Sequence, residues 1–276
     1  MESKSPEIMI HKTERQKREE EYYNKYVGLL NVDDISFDPI CSESRRPWNS
    51  YWRVYELAKY YYNDGKRNLL DFGCGCGISS VRFAKIGYDV SGFDISENNI
   101  DVGGKLAKKY GLDHQIKLSL QIAEQLNYPS NHFDIIIGFD ILHHVDIKKA
   151  IPECLRVLKS NGIAIFREPV EVPLLDYVRN TKIVKYIAPN EKNFTPGIHI
   201  TDDERKLTKS DIDIIRNIFN DTQEVRFTFI SRFDRFLRKY YGRRSSPLEI
   251  IDYVIFKLLP ITKSLGGDTV FLLEKK

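Results

Sequence analysis

The chain is poor in the features that mark secreted, disulfide-bonded or membrane-spanning proteins. It has four cysteines in 276 residues, Cys41, Cys74, Cys76 and Cys154. They are too few and too irregularly spaced for a disulfide scaffold, so a reducing cytoplasm is the expected compartment. The N-terminus lacks the apolar core of a secretory signal. No run approaches the roughly 18 apolar residues of a membrane-spanning helix, so no transmembrane segment is expected.

An excess of charge of one sign is also missing. The chain has 42 basic and 39 acidic residues, a net charge of +3, which points to no particular partner. The segment 226–244 differs, because it has seven basic residues against one acid, Asp234, with aromatic residues between them. The seven are Arg226, Arg232, Arg235, Arg238, Lys239, Arg243 and Arg244. A solvated helix face is the favoured interpretation, and contact with RNA or an anionic lipid headgroup is the alternative.

The most informative segment is 68–77, which reads NLLDFGCGCG. A short apolar strand carries an acid, Asp71, and is followed by glycines at alternate positions, Gly73, Gly75 and Gly77. Apolar residues at helical spacing come next. A strand, a glycine turn and a helix let backbone approach a ligand closely, and the helix N-terminus offers unpaired N–H groups. A dinucleotide-binding fingerprint would place its third glycine one residue later.

Asp71 and the three glycines resemble the D-x-G-x-G-x-G segment of class I S-adenosylmethionine (SAM)-dependent methyltransferases. The family's second signal is an acid at the end of the next strand, and Asp94 supplies it about 20 residues past the first glycine, where a carboxylate can bind ribose. The resemblance implies SAM as cofactor. The residues expected to bind it in the core are Asp71, Gly73, Cys74, Gly75, Gly77, Asp94, Ile95, Ala123, Glu124 and Asp140.

Later segments extend the resemblance. Residues 131–137 resemble the family's fourth strand, 155–162 the helix end and turn before the fifth, and 121–126 the stretch that passes adenine. Ile122 stands where many relatives have an acid, which leaves backbone and Ala123 to contact adenine. The likeness is to the broad small-molecule branch (methyltransferase type 11, UbiE-like). It implies an α/β fold, with a seven-stranded, mostly parallel Rossmann-like sheet, helices on both faces and an antiparallel last strand.

Strands and helices alternate in the sequence, which also favours a parallel sheet. We predict an N-terminal helical lid over 1–62 and a methyltransferase domain over 63–276, with an insertion after the fifth strand. Within the domain, 170–207 and 232–265 are expected to cap the acceptor side. The predicted strands are 68–73, 88–94, 115–122, 133–139, 163–168, 223–231 and 268–273, and the predicted helices include 77–86, 96–110, 150–159, 174–187 and 208–220.

The N-terminal segment also offers candidate cofactor contacts. Arg46 or Arg53 could hold the methionine carboxylate of SAM by paired hydrogen bonds. Aromatic faces favour a cation, so a lid beside the sulfonium is one interpretation of the tyrosines and tryptophan. These residues are Tyr22, Tyr23, Tyr26, Trp48 and Tyr51. A helix packed on the sheet edge with surface arginines is the alternative.

His143 and His144 are the candidate catalytic residues, because they follow the fourth strand at the ligand-binding edge. The alternative is that one of them caps the next helix or packs in a pocket wall.

A zinc site is not expected, because the Cys74-x-Cys76 pair lies inside the glycine turn and lacks a second pair. Magnesium is weakly supported: Asp140 fits the carboxylate that catechol-type methyltransferases carry after the fourth strand, but Glu168-Pro169 stands where they carry an Asp-Asn pair after the fifth. We therefore expect no metal.

The sequence predicts a SAM-dependent methyltransferase acting on a small or medium-sized acceptor. Oxygen is the first expectation for the acceptor atom, because an oxygen nucleophile needs a base and a histidine pair is available. Methylation of exocyclic amines of DNA is disfavoured, because Gly138–Ile141 stands where those enzymes carry Asn-Pro-Pro-aromatic. An RNA- or lipid-directed methyltransferase using 226–244 and a non-catalytic SAM-binding partner protein remain open. The acceptor and the oligomeric state stay undetermined.

Overall fold

The computed structural model describes residues 12–27, 30–35, 45–179, 205–219, 221–234 and 246–276. The strands are β1 (Asn68–Phe72), β2 (Asp89–Asp94), β3 (Ile116–Leu120), β4 (Phe133–Phe139), β5 (Leu158–Pro169), β6 (Asp221–Phe227) and β7 (Asp268–Glu274). The helices are α1 (Glu14–Val27), α2 (Ser50–Asn63), α3 (Ile78–Ile86), α4 (Glu97–Lys109), α5 (Ile147–Val157), α6 (Pro173–Arg179), α7 (Lys209–Ile218) and α8 (Pro247–Leu258).

One sheet contains all seven strands, in the order β3-β2-β1-β4-β5-β7-β6. The pairs among β1 to β5 are parallel, and β7 runs antiparallel to both β5 and β6. The predicted α/β fold with an antiparallel last strand is confirmed. Since β6 therefore runs in the same direction as β5, the carboxyl ends of β1 to β6 lie along one edge of the sheet, where ligands bind in open α/β folds.

The sheet is buried on both faces because neighbouring strand residues point to opposite sides. Leu69 belongs to one hydrophobic cluster and Leu70 to the other, and both side chains are fully buried. Helices α2, α3 and α4 cover the Leu69 face, and α5 and α7 cover the Leu70 face. Strands with two buried faces carry the nearly continuous apolar runs seen in β1 and β4.

Several predicted boundaries differ from the structure. Strand β6 spans Asp221–Phe227 where 223–231 was predicted, because a 3₁₀ turn at Ile230–Phe233 replaces its end. Helix α5 ends at Val157, and β5 begins at once, where the prediction extended the helix to 159 and started the strand at 163. The predicted Asn161–Gly162 turn is present inside β5, as a register shift opposite Phe133 and Ile135 with Asn161 at φ 60°. The predicted helix at 208–220 is found as α7, with the Thr208–Asp211 capping box in place.

In the described part of the predicted lid segment, the helices α1 and α2 lie in different positions. Helix α1 lies over the edge where the strands end, whereas α2 packs on the sheet through Val54, Tyr55 and Ala58, all buried. The predicted helix 174–187 is seen as α6 up to Arg179, and its remainder lies outside the described residues. No described helix is long and apolar enough to cross a membrane.

Candidate active site

The turn between β1 and α3 exposes backbone at the carboxyl edge of the sheet. Gly75 has φ 51°, and an added Cβ would find no atom within 4 Å. Gly77 is the N-cap of α3 with φ 77°, and its Cβ would lie 3.0 Å from Cα of Gly103. The first position leaves space for a ligand, and the second requires glycine because helix α4 passes so close.

Asp94 joins this turn to the end of β2. Its Oδ2 accepts a hydrogen bond from the amide of Gly75 at 3.0 Å. Its Oδ1 accepts from the Ser96 amide and from Nδ2 of Asn99, each at 2.9 Å. Burial raises the pKa of Asp94, and these hydrogen bonds oppose the shift. The carboxylate is thus held in one orientation beside the glycine turn.

A cavity of about 250 Å³ opens beside this carboxylate. It collects residues from the ends of four strands and from α1. The predicted residues that line it are Gly73, Gly75, Asp94, Ile95, Ala123, Glu124, Asp140 and His144. Asp71, Cys74, Gly77, Arg46 and His143 are not among the described residues of its wall. Tyr26 belongs to α1, but its side chain lies outside the described residues.

Asp71 and Cys74 lie behind the cavity wall. The buried carboxylate of Asp71 accepts from the hydroxyls of Ser79 and Ser80, at 2.7 and 2.5 Å, and so ties the first turn of α3 to β1. Burial raises the pKa of Asp71 to about 6. The amide of Cys74 donates to the Phe93 carbonyl at 2.8 Å, and burial raises the pKa of its thiol. Both residues hold the turn in place.

The stretch predicted to pass adenine also lines the cavity. Ile122 and Ala123 present apolar surface to the cavity. Glu124 makes two bonds across the rim: Oε1 accepts from the Asp146 amide and Oε2 from Nε2 of Gln16, each at 2.9 Å. The described residues contain no cluster of three or more potential metal ligands.

Asp140 lines the cavity, but its carboxylate is engaged by other side chains. The Tyr51 hydroxyl donates to Oδ2 at 2.6 Å, and Arg167 forms an ion pair with Oδ1. Arg167 also lies 2.9 Å from Asp268. Asp140 itself takes φ 51°, an uncommon conformation for a residue with a side chain. This network anchors the start of α2 to the end of β4.

The two predicted catalytic histidines lie in different environments. His143 is buried, and its Nδ1 lies 2.7 Å from Oε2 of Glu168. The other oxygen of this fully buried glutamate accepts from the amides of Ile141 and Leu142, each at 2.8 Å. Glu168 and His143 therefore organise the loop after β4.

His144 faces the cavity and contacts residues of α1. Its Nδ1 lies 3.2 Å from Oε1 of Glu19, and its Nε2 lies 3.4 Å from the Tyr23 hydroxyl. Glu19 is buried although it comes from a strongly charged run. The structure thus brings one of the two histidines, His144, to the cavity together with a carboxylate.

Helix α1 lies over the cavity through polar contacts along its length. Gln16, Glu19 and Tyr23 line the cavity. Nearer the ends of the helix, Arg15 donates to the His143 carbonyl at 3.0 Å and Asn24 accepts from the Ser96 hydroxyl at 2.6 Å. Sequence interpretation missed Gln16 and Glu19. Their spacing to Tyr23 is the signal that could have found them, since i, i+3 and i+7 share one helix face.

The candidate arginines are placed elsewhere. Arg46 is half-buried in the segment before α2. Arg53 forms an ion pair with Glu56 on α2. In the basic segment, Arg226 pairs with Glu224 at 3.0 Å, and Arg232 donates to backbone carbonyls. The other five basic residues of 226–244 lie outside the described residues.

Known proteins match the part of the chain that forms this site. Residues 70–166 match the family model described as methyltransferase domain. Sarcosine/dimethylglycine N-methyltransferase of Halorhodospira halochloris is 31% identical over 148 residues, which cover 53% of this chain and 50% of that protein. Ubiquinone biosynthesis O-methyltransferase of Pelagibacter ubique is 36% identical over 112 residues, 40% of this chain and 45% of that one. The chain thus spans about half the length of these curated relatives.

A solved structure shares the fold over nearly the whole chain. Geranyl diphosphate C-methyltransferase of Streptomyces coelicolor A3(2), crystallised with Mg²⁺, geranyl diphosphate and S-adenosyl-L-homocysteine, has a TM-score of 0.55 at 14% identity. The match covers 96% of this chain and 98% of that one. The glycine turn and the acid after β2 both lie within residues 70–166, the part of the chain that matches the methyltransferase domain model.

Proposed function

We propose that this protein is a SAM-dependent methyltransferase that methylates a small or medium-sized acceptor. The observation that carries the proposal is the cavity itself, which joins the Gly73–Gly75 backbone, the fixed carboxylate of Asp94 and His144 in one space. SAM supplies a methyl group already activated on a sulfonium. The protein's task is then to bind, to orient and to exclude water.

The residues at the cavity fit the parts of SAM. The Asp94 carboxylate would accept from ribose hydroxyls, because it faces the cavity while its hydrogen bonds to the protein fix its direction. The space beside Gly75 admits a ligand close to backbone. Ile122 and Ala123 offer an apolar surface for adenine. Asp71, Cys74 and Gly77 would support the turn from behind.

His144 is the residue we assign to proton transfer. Glu19 lies at its Nδ1, which orients the ring and leaves Nε2 as the basic atom facing Tyr23. A base held this way suits an acceptor that must lose a proton, which favours a hydroxyl over a carbanion. His143 would act on the loop conformation and not on the acceptor, because Glu168 holds it in the buried interior.

The acceptor class is proposed only as small or medium-sized. The two curated relatives carry names of an amine N-methyltransferase and an O-methyltransferase, so family membership leaves the acceptor atom open. The pairing of His144 with Glu19 is the feature of this chain that favours oxygen over nitrogen.

Calorimetry followed by a product assay tests the proposal. The full chain is titrated with SAM, with S-adenosylhomocysteine and with NAD as a control dinucleotide. It is then incubated with SAM and either a phenol or a secondary amine, and the two products, S-adenosylhomocysteine and the methylated acceptor, are measured by mass spectrometry. We expect heat with both adenosyl compounds, none with NAD, and faster product formation with the phenol. A folded sample that binds none of these adenosyl compounds contradicts the proposal.

The non-catalytic alternative has its own outcome in this experiment. A SAM-binding partner protein would give the same heat with SAM but no turnover with any acceptor. Replacing His144 would then leave SAM binding unchanged and reveal no activity difference.

The two described arginines of 226–244 do not favour the RNA-directed alternative, because Arg226 and Arg232 are engaged within the protein.

A further inference from the structure

Apart from the cavity, the molecule has an unusual surface on α8 and on the 3₁₀ turn that follows it. We use the term apolar ridge for Ile250, Ile251, Val254, Leu258, Leu259 and Ile261, which are all exposed. Exposure rises toward the end of the helix and reaches 71% at Leu258 and 86% at Ile261. Single exposed aliphatic residues are ordinary, whereas six on one continuous surface indicate an interaction site.

The ridge carries positive charge and no exposed carboxylate among residues 246–265. Lys257 and Lys263 are exposed within it. The two acids of the same stretch are engaged: Glu249 accepts from the Ser246 amide and from Nδ2 of Asn49. Asp252 is buried and accepts from the amides of residues 229–231. The exposed charged side chains of this stretch are thus the two lysines alone.

We propose that the apolar ridge docks this protein on an anionic lipid surface. Aliphatic side chains that enter the boundary between headgroups and acyl chains, with lysines beside them, form the pattern of interfacial helices. A second copy of the chain fits less well, because a two-fold axis would bring the two lysine-bearing surfaces together without a carboxylate to meet them.

The position of the ridge in the fold gives the docking a use. The 3₁₀ turn 260–265 leads into the start of β7, which lies beside the carboxyl end of β6. That end belongs to the same sheet edge as the cavity. Docking through the ridge would therefore turn this edge of the sheet toward the lipid. Whether the ridge docks can be measured independently of methyl transfer.

Co-sedimentation with vesicles tests the docking with the full chain. One set of vesicles is pure phosphatidylcholine, and the other is an equimolar mixture of phosphatidylcholine and phosphatidylglycerol. We expect stronger binding to the mixed vesicles, falling as salt is raised. Leu258→Ser with Ile261→Ser should reduce partitioning at least about tenfold on both vesicle types, because apolar insertion is lost.

A charge variant and a matched control separate the two contributions. Lys257→Gln with Lys263→Gln should reduce partitioning roughly thirtyfold on the mixed vesicles only, at about 1 kcal/mol per lysine near an anionic surface. Tyr60→Ser should change nothing, since this exposed tyrosine lies near the end of α2 that leads to the start of β1, at the opposite sheet edge. Lys257 and Lys263 are both exposed. Circular dichroism verifies the fold of every variant.

Three results overturn the proposal. The first is a wild-type chain that binds neither vesicle type. The second is a concentration-dependent dimer, seen by light scattering, that Leu258→Ser with Ile261→Ser dissolves while vesicle binding is absent. The third is vesicle binding that both ridge variants leave unchanged. Loss of methyl transfer has no bearing on any of these measurements, so failure here and failure of the proposed function remain distinguishable.

Discussion

The glycine turn and helix α1 enclose the same cavity but are held by different forces. The turn is fixed by backbone bonds and buried groups, such as the Cys74 amide on the Phe93 carbonyl and the Asp94 carboxylate on the Gly75 amide. Helix α1 has one buried apolar side chain among its described residues, Val27, and otherwise relies on polar side-chain contacts. The glycine turn is thus part of the core, whereas α1 is a helix that covers the cavity from outside the core.

This difference tells which wall can move. A hydrogen bond that water can replace contributes only about 0.5–1.5 kcal/mol, so lifting α1 costs far less than distorting the turn. We expect the turn to be preformed in the free protein and α1 to exchange between closed and open positions. His144 belongs to the loop after β4 but contacts Glu19 of α1, so closure of α1 would also bring together the proposed base and its carboxylate.

The largest expected effect comes from removing the carboxylate of the preformed wall. Asp94→Ala should weaken SAM binding at least about hundredfold, because two charge-assisted hydrogen bonds to ribose contribute about 1.5–3 kcal/mol each. Isothermal titration measures it. Asp89→Ala is the matched control, an exposed aspartate at the other end of the same strand. Unchanged affinity in a folded Asp94→Ala protein refutes the ribose assignment.

The buried acid behind the turn should appear in the pH dependence of stability. The pKa of Asp71 is about 6 in the folded state against 3.8 in the reference state, so between these pH values the folded protein holds a proton that the unfolded chain has lost. The Asp71 contribution to the free energy of unfolding is therefore greatest below pH 4. It falls by about 3 kcal/mol as pH rises past 6.

Urea unfolding of wild type and Asp71→Asn isolates this contribution from other titrating groups. The asparagine keeps the shape and can still accept from Ser79 and Ser80. Its stability relative to wild type should therefore increase between pH 4 and pH 7. A difference that stays constant with pH would show that Asp71 titrates normally, and that the turn is more open to water than its burial indicates.

The sequence predicted the turn well because its contacts are local. Asp94 and Gly75 are 19 positions apart, within one strand-turn-helix-strand unit, and that unit has a recognisable spacing. Glu19 and His144 are 125 positions apart, so no local pattern could join them. The start of β5 was missed for the same reason. Residues near Asn161 are held by backbone bonds to Lys275, and this tertiary pairing overrides the helical pattern.

The two histidines test the comparison between the core and helix α1, because His144 contacts α1 and His143 is buried in the core. His144→Gln should lower kcat about a hundredfold with little change in SAM affinity, as expected for a lost general base. His143→Gln should instead lower the free energy of unfolding by about 1–3 kcal/mol, since Glu168 would lose a buried partner. Steady-state kinetics and thermal melts measure both. The reverse pattern would assign the base to His143.

The smallest effect tests whether α1 is a cover at all. Gln16→Ala with Asn24→Ala removes the bonds to Glu124 and Ser96, and should raise the rate constant of SAM release about tenfold. Glu14→Ala with Lys17→Ala is the control, because this exposed pair lies on the same helix and should change release less than about twofold. Stopped-flow displacement by S-adenosylhomocysteine measures release.

The association rate constant then decides between two roles for α1. If the helix is a gate, loosening it raises the association and release rate constants together, and the Kd changes less than either. If α1 contributes only contacts to bound SAM, release alone becomes faster and the Kd rises in proportion. Equal release from wild type and the Gln16–Asn24 variant would mean that the polar contacts do not hold α1 closed, and the contrast between a fixed wall and a cover would fail.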